Sequence, residues 1–385
     1  MTTRSESAQL PLPSHAEQER SATLSARITG EIDRRGGFLP FAEFMRMALY
    51  EPALGYYSNA SPKFGPRGDF TTAAELGDLL SRAIVAWAWK PFAELERPVI
   101  LELGAGSGAL ARQLLEAWAR RGREDIEYRI FEPSASLRAR QQAELKMFGD
   151  RIEWLDRLPQ TPLEGLILAN EVADALPVER FVNTERGVLP LGVASAPEGF
   201  RWQVGAADPL LNVAVAALET ELGAPLPLGF RTEICPMLSA WIASLGAALA
   251  RGALLLIDYG LPRRELYHPD RSDGTLICHY RHRAHFDPFA LVGLQDLSAW
   301  VDFSACAAAA TAVGLGVGGF TTQAHFLLET AFHELPTTLS QGSIAARQAA
   351  QTLLMPGEMG ERFKVLLLTR GVSWSLPGRD LRNRL

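Results

Sequence analysis

The chain has 385 residues, of which 47% are apolar and 21% charged, with a formal charge of −6. Such a length accommodates about two to three domains, or one large domain with insertions, and the acidic balance argues against nucleic acid or an anionic membrane as a partner. Three widely spaced cysteines, Cys235, Cys278 and Cys306, give neither a disulfide framework nor a zinc spacing and fit a reducing compartment.

Residues 1–25 are polar and mixed in charge, without the apolar core of a secretory signal. They predict a disordered start over 1–27 and a cytoplasmic protein. Next, Phe41, Phe44, Met45, Ala48 and Leu49 recur at helical spacing, and Pro52 and Gly55 stop the helix. Residues 64–75, FGPRGDFTTAAE, form a polar loop with Arg67, Asp69, Thr71 and Thr72 ahead of a helix over 76–89. A loop of this kind can fold over a cofactor, with Asp69 and Thr72 as its contacts, so 28–95 reads as a helical lid. A capping box between Thr71 or Thr72 and Glu75 is the local alternative.

Residues 98–111, PVILELGAGSGALA, are the stretch on which the rest depends. The apolar run 99–103 reads as a buried parallel strand, and 109–120 as an amphipathic helix, so Gly104, Gly106 and Gly108 lie in a strand-to-helix turn. The pattern also satisfies the dinucleotide form G-x-G-x-x-[GA]. Glu102 decides between ligands, because an ionised carboxylate at the mouth of the loop repels a pyrophosphate and accepts hydrogen bonds from an ammonium. S-adenosyl-L-methionine carries an ammonium, a sulfonium and no phosphate. Residues 128–131 read as the next strand, ending at Glu132, where a ribose diol can donate both hydroxyls.

A helix over 136–147 and strands over 152–155 and 165–169 continue the alternation, which makes a doubly wound parallel sheet the economical α/β architecture. Beyond the fourth strand stand Asn170, Glu171 and Asp174, at the edge where ligands bind in such sheets. They are the candidate acceptor-side residues, with helix capping as the local alternative. Residues 178–251 are too long for a loop and read as an inserted cap. A fifth strand over 253–257 ends in Asp258-Tyr259-Gly260. His279, His282 and His285 alternate with Arg281 and Arg283, whose charge opposes a cation, so no metal site is expected. The stretch 305–320, alanine- and glycine-rich, is shorter than the ~18 apolar residues of a membrane span, so no membrane insertion is expected. Strands over 323–328 and 363–369 bring the sheet to seven.

Together FMRMALYEPALGYY, FGPRGDFTTAAE, LELGAGSGALA, LANEVADALPV, IDYG, GTLICHYRH, GLQDLSAWVDF and GERFKVL resemble the MidA family, which includes mitochondrial complex I assembly methyltransferases and bacterial relatives. The resemblance runs from about Ile28 to Arg370. It implies a Rossmann-like methyltransferase core over 96–177 and 252–385, use of S-adenosyl-L-methionine, and symmetric dimethylation of an arginine on a core subunit of respiratory NADH:ubiquinone oxidoreductase. Glu102, Gly104, Gly106 and Gly108 match the donor loop, Glu132 the ribose acid, and Asn170, Glu171 and Asp174 the family's NE-x-x-DALP segment. Ala74, His279 and Trp300 depart from the family's usual proline, aromatic and histidine, none of them in the donor loop. Methylation of a small molecule or RNA, and a donor-binding assembly factor without turnover, are the competing functions.

Overall fold

A computed structural model describes residues 10–59, 61, 63, 68–69, 72–331 and 343–385. It divides into two compact units. The larger comprises Thr71–Asp174, Leu238–Pro262 and Val301–Leu385, and the smaller Met1–Phe70, Ala175–Met237 and Arg263–Trp300. Helices α1 (His15–Arg34), α2 (Phe41–Tyr50), α3 (Ala73–Leu76), α4 (Leu79–Ala93), α5 (Ala109–Arg120) and α6 (Ala135–Glu144) belong to the first half of the chain. Strands follow as β1 (Val99–Leu103), β2 (Glu127–Phe131), β3 (Ile152–Leu155), β4 (Leu163–Asn170), β5 (Glu179–Thr184), β6 (Gly187–Ala196), β7 (Gly199–Val204) and β8 (Arg231–Ile234). The remainder are β9 (Leu249–Leu261), β10 (Ile277–Tyr280), β11 (Arg283–His285), β12 (Asp296–Ser298), β13 (Val301–Asp302), β14 (Gly316–Thr322) and β15 (Phe363–Arg370).

In the larger unit the sheet runs β14-β15-β9-β4-β1-β2-β3, with the short β13 beside β9. Strands β3, β2, β1, β4 and β9 are parallel, β15 is antiparallel to β9, and β14, antiparallel to β15, runs in the direction of the core strands again. This is a Rossmann-like, doubly wound sheet, as the alternation of strands and helices predicts. All five residues of β1 are buried, as a strand covered on both faces requires. On one face α5 packs on α4, where Trp118 stacks on Phe92 at 5.0 Å between centroids. Such a pair adds ~0.5–1.5 kcal/mol to its area burial. The chain reverses direction of winding between β1 and β4, so the residues just past Leu103 and Ala169, partners in register, face one crevice at the sheet's carboxyl edge.

In the smaller unit an antiparallel sheet, β7-β6-β5-β8, and a three-stranded sheet, β11-β10-β12, share a core with α1 and α2. The apolar face of α2 supplies Phe41, 4.9 Å from Trp202, and Phe44, 5.8 Å from Phe200 and 5.3 Å from Phe289. The expected lid helix thus buries its apolar stripe within its own unit.

Several expectations are corrected. Within the stretch read as disordered, α1 begins at His15 behind a capping box of Ser14 and Glu17, and Leu24, Ile28 and Ile32 form a buried i, i+4 stripe; residues 1–9 lie outside the described set. The helix expected over 76–89 is broken at Gly77 and Asp78 into α3 and α4. The strand expected over 323–328 is a helix, Gln323–Ala331, and the strand is β14 before it. Its glycines are there because another segment crosses them: a Cβ on Gly318 would stand 2.7 Å from the Trp374 carbonyl, and one on Gly319 2.9 Å from Leu376 Cβ. The domain boundaries also differ, since α3 and α4 join the larger unit, Leu238–Ala247 joins it too, and Arg263–Trp300 joins the smaller.

At the amino end of the sheet, a Cβ on Gly165 would lie 2.0 Å from the Val99 carbonyl, and one on Gly252 2.0 Å from the Gly165 carbonyl. Both glycines have positive φ, 146° and 127°. Gly165→Ala combines a backbone clash with left-handed strain and should cost more than roughly 3 kcal/mol. Urea titration of the full chain checks this, and an unshifted midpoint would show that the strands part without cost.

Candidate functional site

The glycine turn is built by sterics. Gly104, Gly106 and Gly108 take φ of 58°, 55° and 88°, a conformation that side chains with a Cβ avoid. The Gly104 N–H donates to the Phe131 carbonyl (3.0 Å), which ties the turn to the end of β2. Around it, Ser107 Oγ donates to Glu75 Oε1, and Gln113 Nε2 to the Ala74 carbonyl (2.8 Å), so α3 is fastened to the turn and to α5. Thr72 is the N-cap of α3 but makes no side-chain cap bond, and the capping box with Glu75 does not form because that carboxylate serves Ser107. Thr71 lies outside the described residues, as does Arg67.

Glu102, expected as an ionised carboxylate at the loop mouth, is buried within β1. It is 3% exposed, and the Tyr128 hydroxyl donates to its Oε2 at 2.7 Å. Burial pushes its pKa up to about 7, Tyr128 pulls it down, and the charge of Glu132 raises it further. The cause is its place inside β1, where every residue is buried. Glu132 is also buried, and burial raises its pKa against two donors: Ser134 N–H to Oε1 and Gln141 Nε2 to Oε2, each at 2.9 Å. Gln141, fully buried on α6, also donates to the Gly106 carbonyl (3.0 Å) and accepts from Trp154 Nε1 (3.2 Å). It links Glu132 to the glycine turn, and sequence reasoning missed it. Each Glu132 oxygen retains acceptor capacity for a further hydroxyl donor.

Past β4, Asn170 Nδ2 donates to Glu171 Oε1 (3.2 Å), as does the Ala73 N–H (3.3 Å), which brings Glu171 to the start of α3 beside Thr72. Asn170 Oδ1 is buried and has no hydrogen-bond partner among the described residues. Glu171 has φ +56°, and 171–176 is a turn, so the helix-capping alternative does not form there. The reason is Asp258 at the end of β9, whose Oδ2 accepts the N–H groups of Val172 (3.1 Å), Ala173 (2.8 Å) and Asp174 (3.3 Å). Its Oδ1 accepts the Tyr259 N–H at 2.9 Å, and burial pushes its pKa up to about 7 against these donors.

Asp69 belongs to the smaller unit, where its carboxylate accepts the Arg281 N–H (2.6 Å) and its carbonyl the His282 N–H (2.8 Å). It there holds the β10–β11 turn. His279 is half-buried, and desolvation pushes its pKa down to about 4; among the described residues no three His, Cys, Asp or Glu side chains group as metal ligands. None of the described helices is long and apolar enough to cross a membrane.

Buried carboxylates, a glycine cradle and an unpartnered amide oxygen, with no lysine or arginine between residues 99 and 111, fit a ligand bearing hydroxyls and an ammonium and no phosphate. Comparison with known proteins agrees. Residues 79–321 match the family described as "Putative S-adenosyl-L-methionine-dependent methyltransferase". A Burkholderia thailandensis protein crystallised with S-adenosyl-homocysteine is 37% identical, with a TM-score of 0.90 over 98% of this chain and 100% of its own. The Drosophila melanogaster "Protein arginine methyltransferase NDUFAF7 homolog, mitochondrial" is 27% identical over 87% of this chain and 82% of its own. The Mus musculus protein of corresponding name is 27% identical over 86% and 81%. These relatives are labelled mitochondrial, which overturns the expectation of a cytoplasmic protein.

Replacing Glu132 with alanine should weaken S-adenosylhomocysteine binding roughly 10- to 100-fold, since charge-assisted hydrogen bonds contribute about 1.5–3 kcal/mol. Calorimetry on the folded variant tests it; unchanged affinity removes Glu132 from the donor site. A second expectation concerns pH. The folded-state pKa of Glu102, about 7, lies above its ordinary 4.5. Its contribution to stability is therefore complete below pH 4.5 and lost as pH rises through 7, a loss of roughly 3 kcal/mol at about 1.4 kcal/mol per pKa unit. Glu102→Gln should gain stability relative to the unmodified chain over that interval. Parallel pH–stability curves for the two proteins would contradict it.

Proposed function

The chain belongs to the family of S-adenosyl-L-methionine-dependent methyltransferases, and from that premise we propose that its acceptor is the guanidinium of a protein arginine, held at Asn170, Glu171 and Asp174. The observation that carries this reading is Glu171. Its carboxylate is presented by a left-handed residue at the carboxyl end of β4, next in register to the glycine turn. The names of the fly and mouse relatives, which specify protein arginine methylation, support the same acceptor class. The MidA-like segment LANEVADALPV supports the finer reading, symmetric dimethylation on a subunit of respiratory NADH:ubiquinone oxidoreductase.

Bound S-adenosyl-L-methionine supplies an electrophilic methyl group. The protein's own residues do the rest. Glu132 and the glycine turn hold the donor's ribose and amino-acid ends, with Glu102 beneath the turn. On the acceptor side, Glu171 and Asp174 hold the planar fork of a guanidinium, which offers paired donors that a lysine ammonium lacks. Fixing the fork leaves one nitrogen directed at the methyl carbon, and the carboxylates accept the proton that this nitrogen gives up.

Glu171→Gln keeps the shape and removes the charge. It should leave S-adenosylhomocysteine affinity nearly unchanged and slow methyl transfer by on the order of 100-fold. The measurement is single-turnover transfer from labelled donor to individually purified subunits of NADH:ubiquinone oxidoreductase, with mass spectrometry of the modified arginine. Unmodified rates in both Glu171→Gln and Asp174→Asn would place the acceptor elsewhere.

A further inference from the structure

Asp258 lies at the end of β9, 0% exposed, and every donor described above for its carboxylate is a backbone N–H. Three of them come from consecutive residues, Val172, Ala173 and Asp174, converging on Oδ2. A run of amides wrapped around one anion is a nest, a shape that a chain adopts because the anion is there. Its cross-strand neighbour in register, Lys364, donates its ammonium to the Glu361 carbonyl.

The nest begins one residue after Glu171, whose φ of +56° is costly for a residue with a Cβ. A strained residue persists where its surroundings over-determine it. Here the Glu171 N–H is fixed by the Ile257 carbonyl at 2.9 Å on one side, and the next three amides are fixed by Asp258 on the other. Ile257 and Asp258 are consecutive in β9, so one strand end clamps both sides of Glu171.

Resting on the acceptor reading above, we infer that Asp258 is a positioning residue for methyl transfer, whose carboxylate sets the backbone of residues 171–174 and thereby the direction in which Glu171 meets the acceptor. It acts through Glu171 and touches neither donor nor acceptor. Loop closure alone would be served by a neutral acceptor. A carboxylate is required because only it offers lone pairs to all four N–H groups without presenting a donor of its own.

The test uses the full chain with Asp258→Asn and, as a second variant, Asp258→Ser, both kept below their melting temperatures. Hydrogen exchange at the amides of Val172, Ala173 and Asp174 should rise at least about 10-fold, while β1 and β2 stay protected. S-adenosylhomocysteine affinity should stay within about threefold. Single-turnover transfer to the subunit used for Glu171→Gln should slow by about 10- to 100-fold. Adding Glu171→Gln to Asp258→Asn should then cost little more, because the two act as one unit. Unchanged exchange at 172–174, or faster exchange with transfer at the unmodified rate, overturns the inference. So do additive losses in the double variant. Loss in Glu171→Gln but none in either Asp258 variant overturns the positioning role and leaves the acceptor reading standing, whereas unmodified rates in all of them overturn both.

Discussion

Three parallel strands in step are the constraint from which the site follows. β1, β4 and β9 are in register from Val99, Gly165 and Gly252 at one end to Leu103, Ala169 and Leu256 at the other. Because the backbones meet so closely at the glycines, a slip of the central strand would force a Cβ into a neighbouring carbonyl. A slip of one residue would also invert every side chain on the strand. Register therefore delivers Gly104, Asn170 and Asp258 to one edge, where the crossover from β1 to β4 opens a crevice.

The edge so formed is acidic, and its acids are satisfied by unusual means. Glu102 leans on a tyrosine hydroxyl, Glu132 on a backbone amide and a glutamine, and Asp258 on four backbone amides. A buried carboxylate paired with arginine would be neutralised and of little use to a cationic ligand. Held by neutral donors, these carboxylates have no cationic side chain among the partners described above, and burial raises their pKa. A cation at the edge favours the ionised form of Glu102, so ligand charge and ionisation reinforce each other.

What the sequence revealed is what local patterning controls. The run VILEL, the alternating glycines and the helix after them are written in consecutive residues, and the structure has β1, the turn and α5 there. Strand β14 was illegible because Gly316, Gly318 and Gly319 break the apolar run of a strand, and the distant Trp374–Leu376 segment explains the last two. The start of α1 was hidden by a polar surface around a narrow stripe of Leu24, Ile28 and Ile32. Gln141 and Asp258 could be suspected only as polar residues amid apolar ones. Gln141 reaches the Gly106 carbonyl 35 residues away and Asp258 reaches amides 84 to 86 residues away, separations that no periodicity reports. Glu102 shows the opposite limit, since its position was legible and its burial, hence its protonation, was not.

The turn at 171–174 bears on the chemistry. Had those residues begun a helix, their free N–H groups would have formed the positive end of its dipole at the crevice, a place suited to an anion. Asp258 takes the same three N–H groups, so their dipoles are committed to a buried carboxylate. On the proposed acceptor reading, the crevice then offers the Glu171 and Asp174 carboxylates and Asn170 Oδ1, which has no hydrogen-bond partner among the described residues. All of them are acceptors of hydrogen bonds. Under that proposal, the edge would suit a cation rich in N–H donors, and the preference would follow from where one aspartate sends the backbone, before any contact with the acceptor is considered.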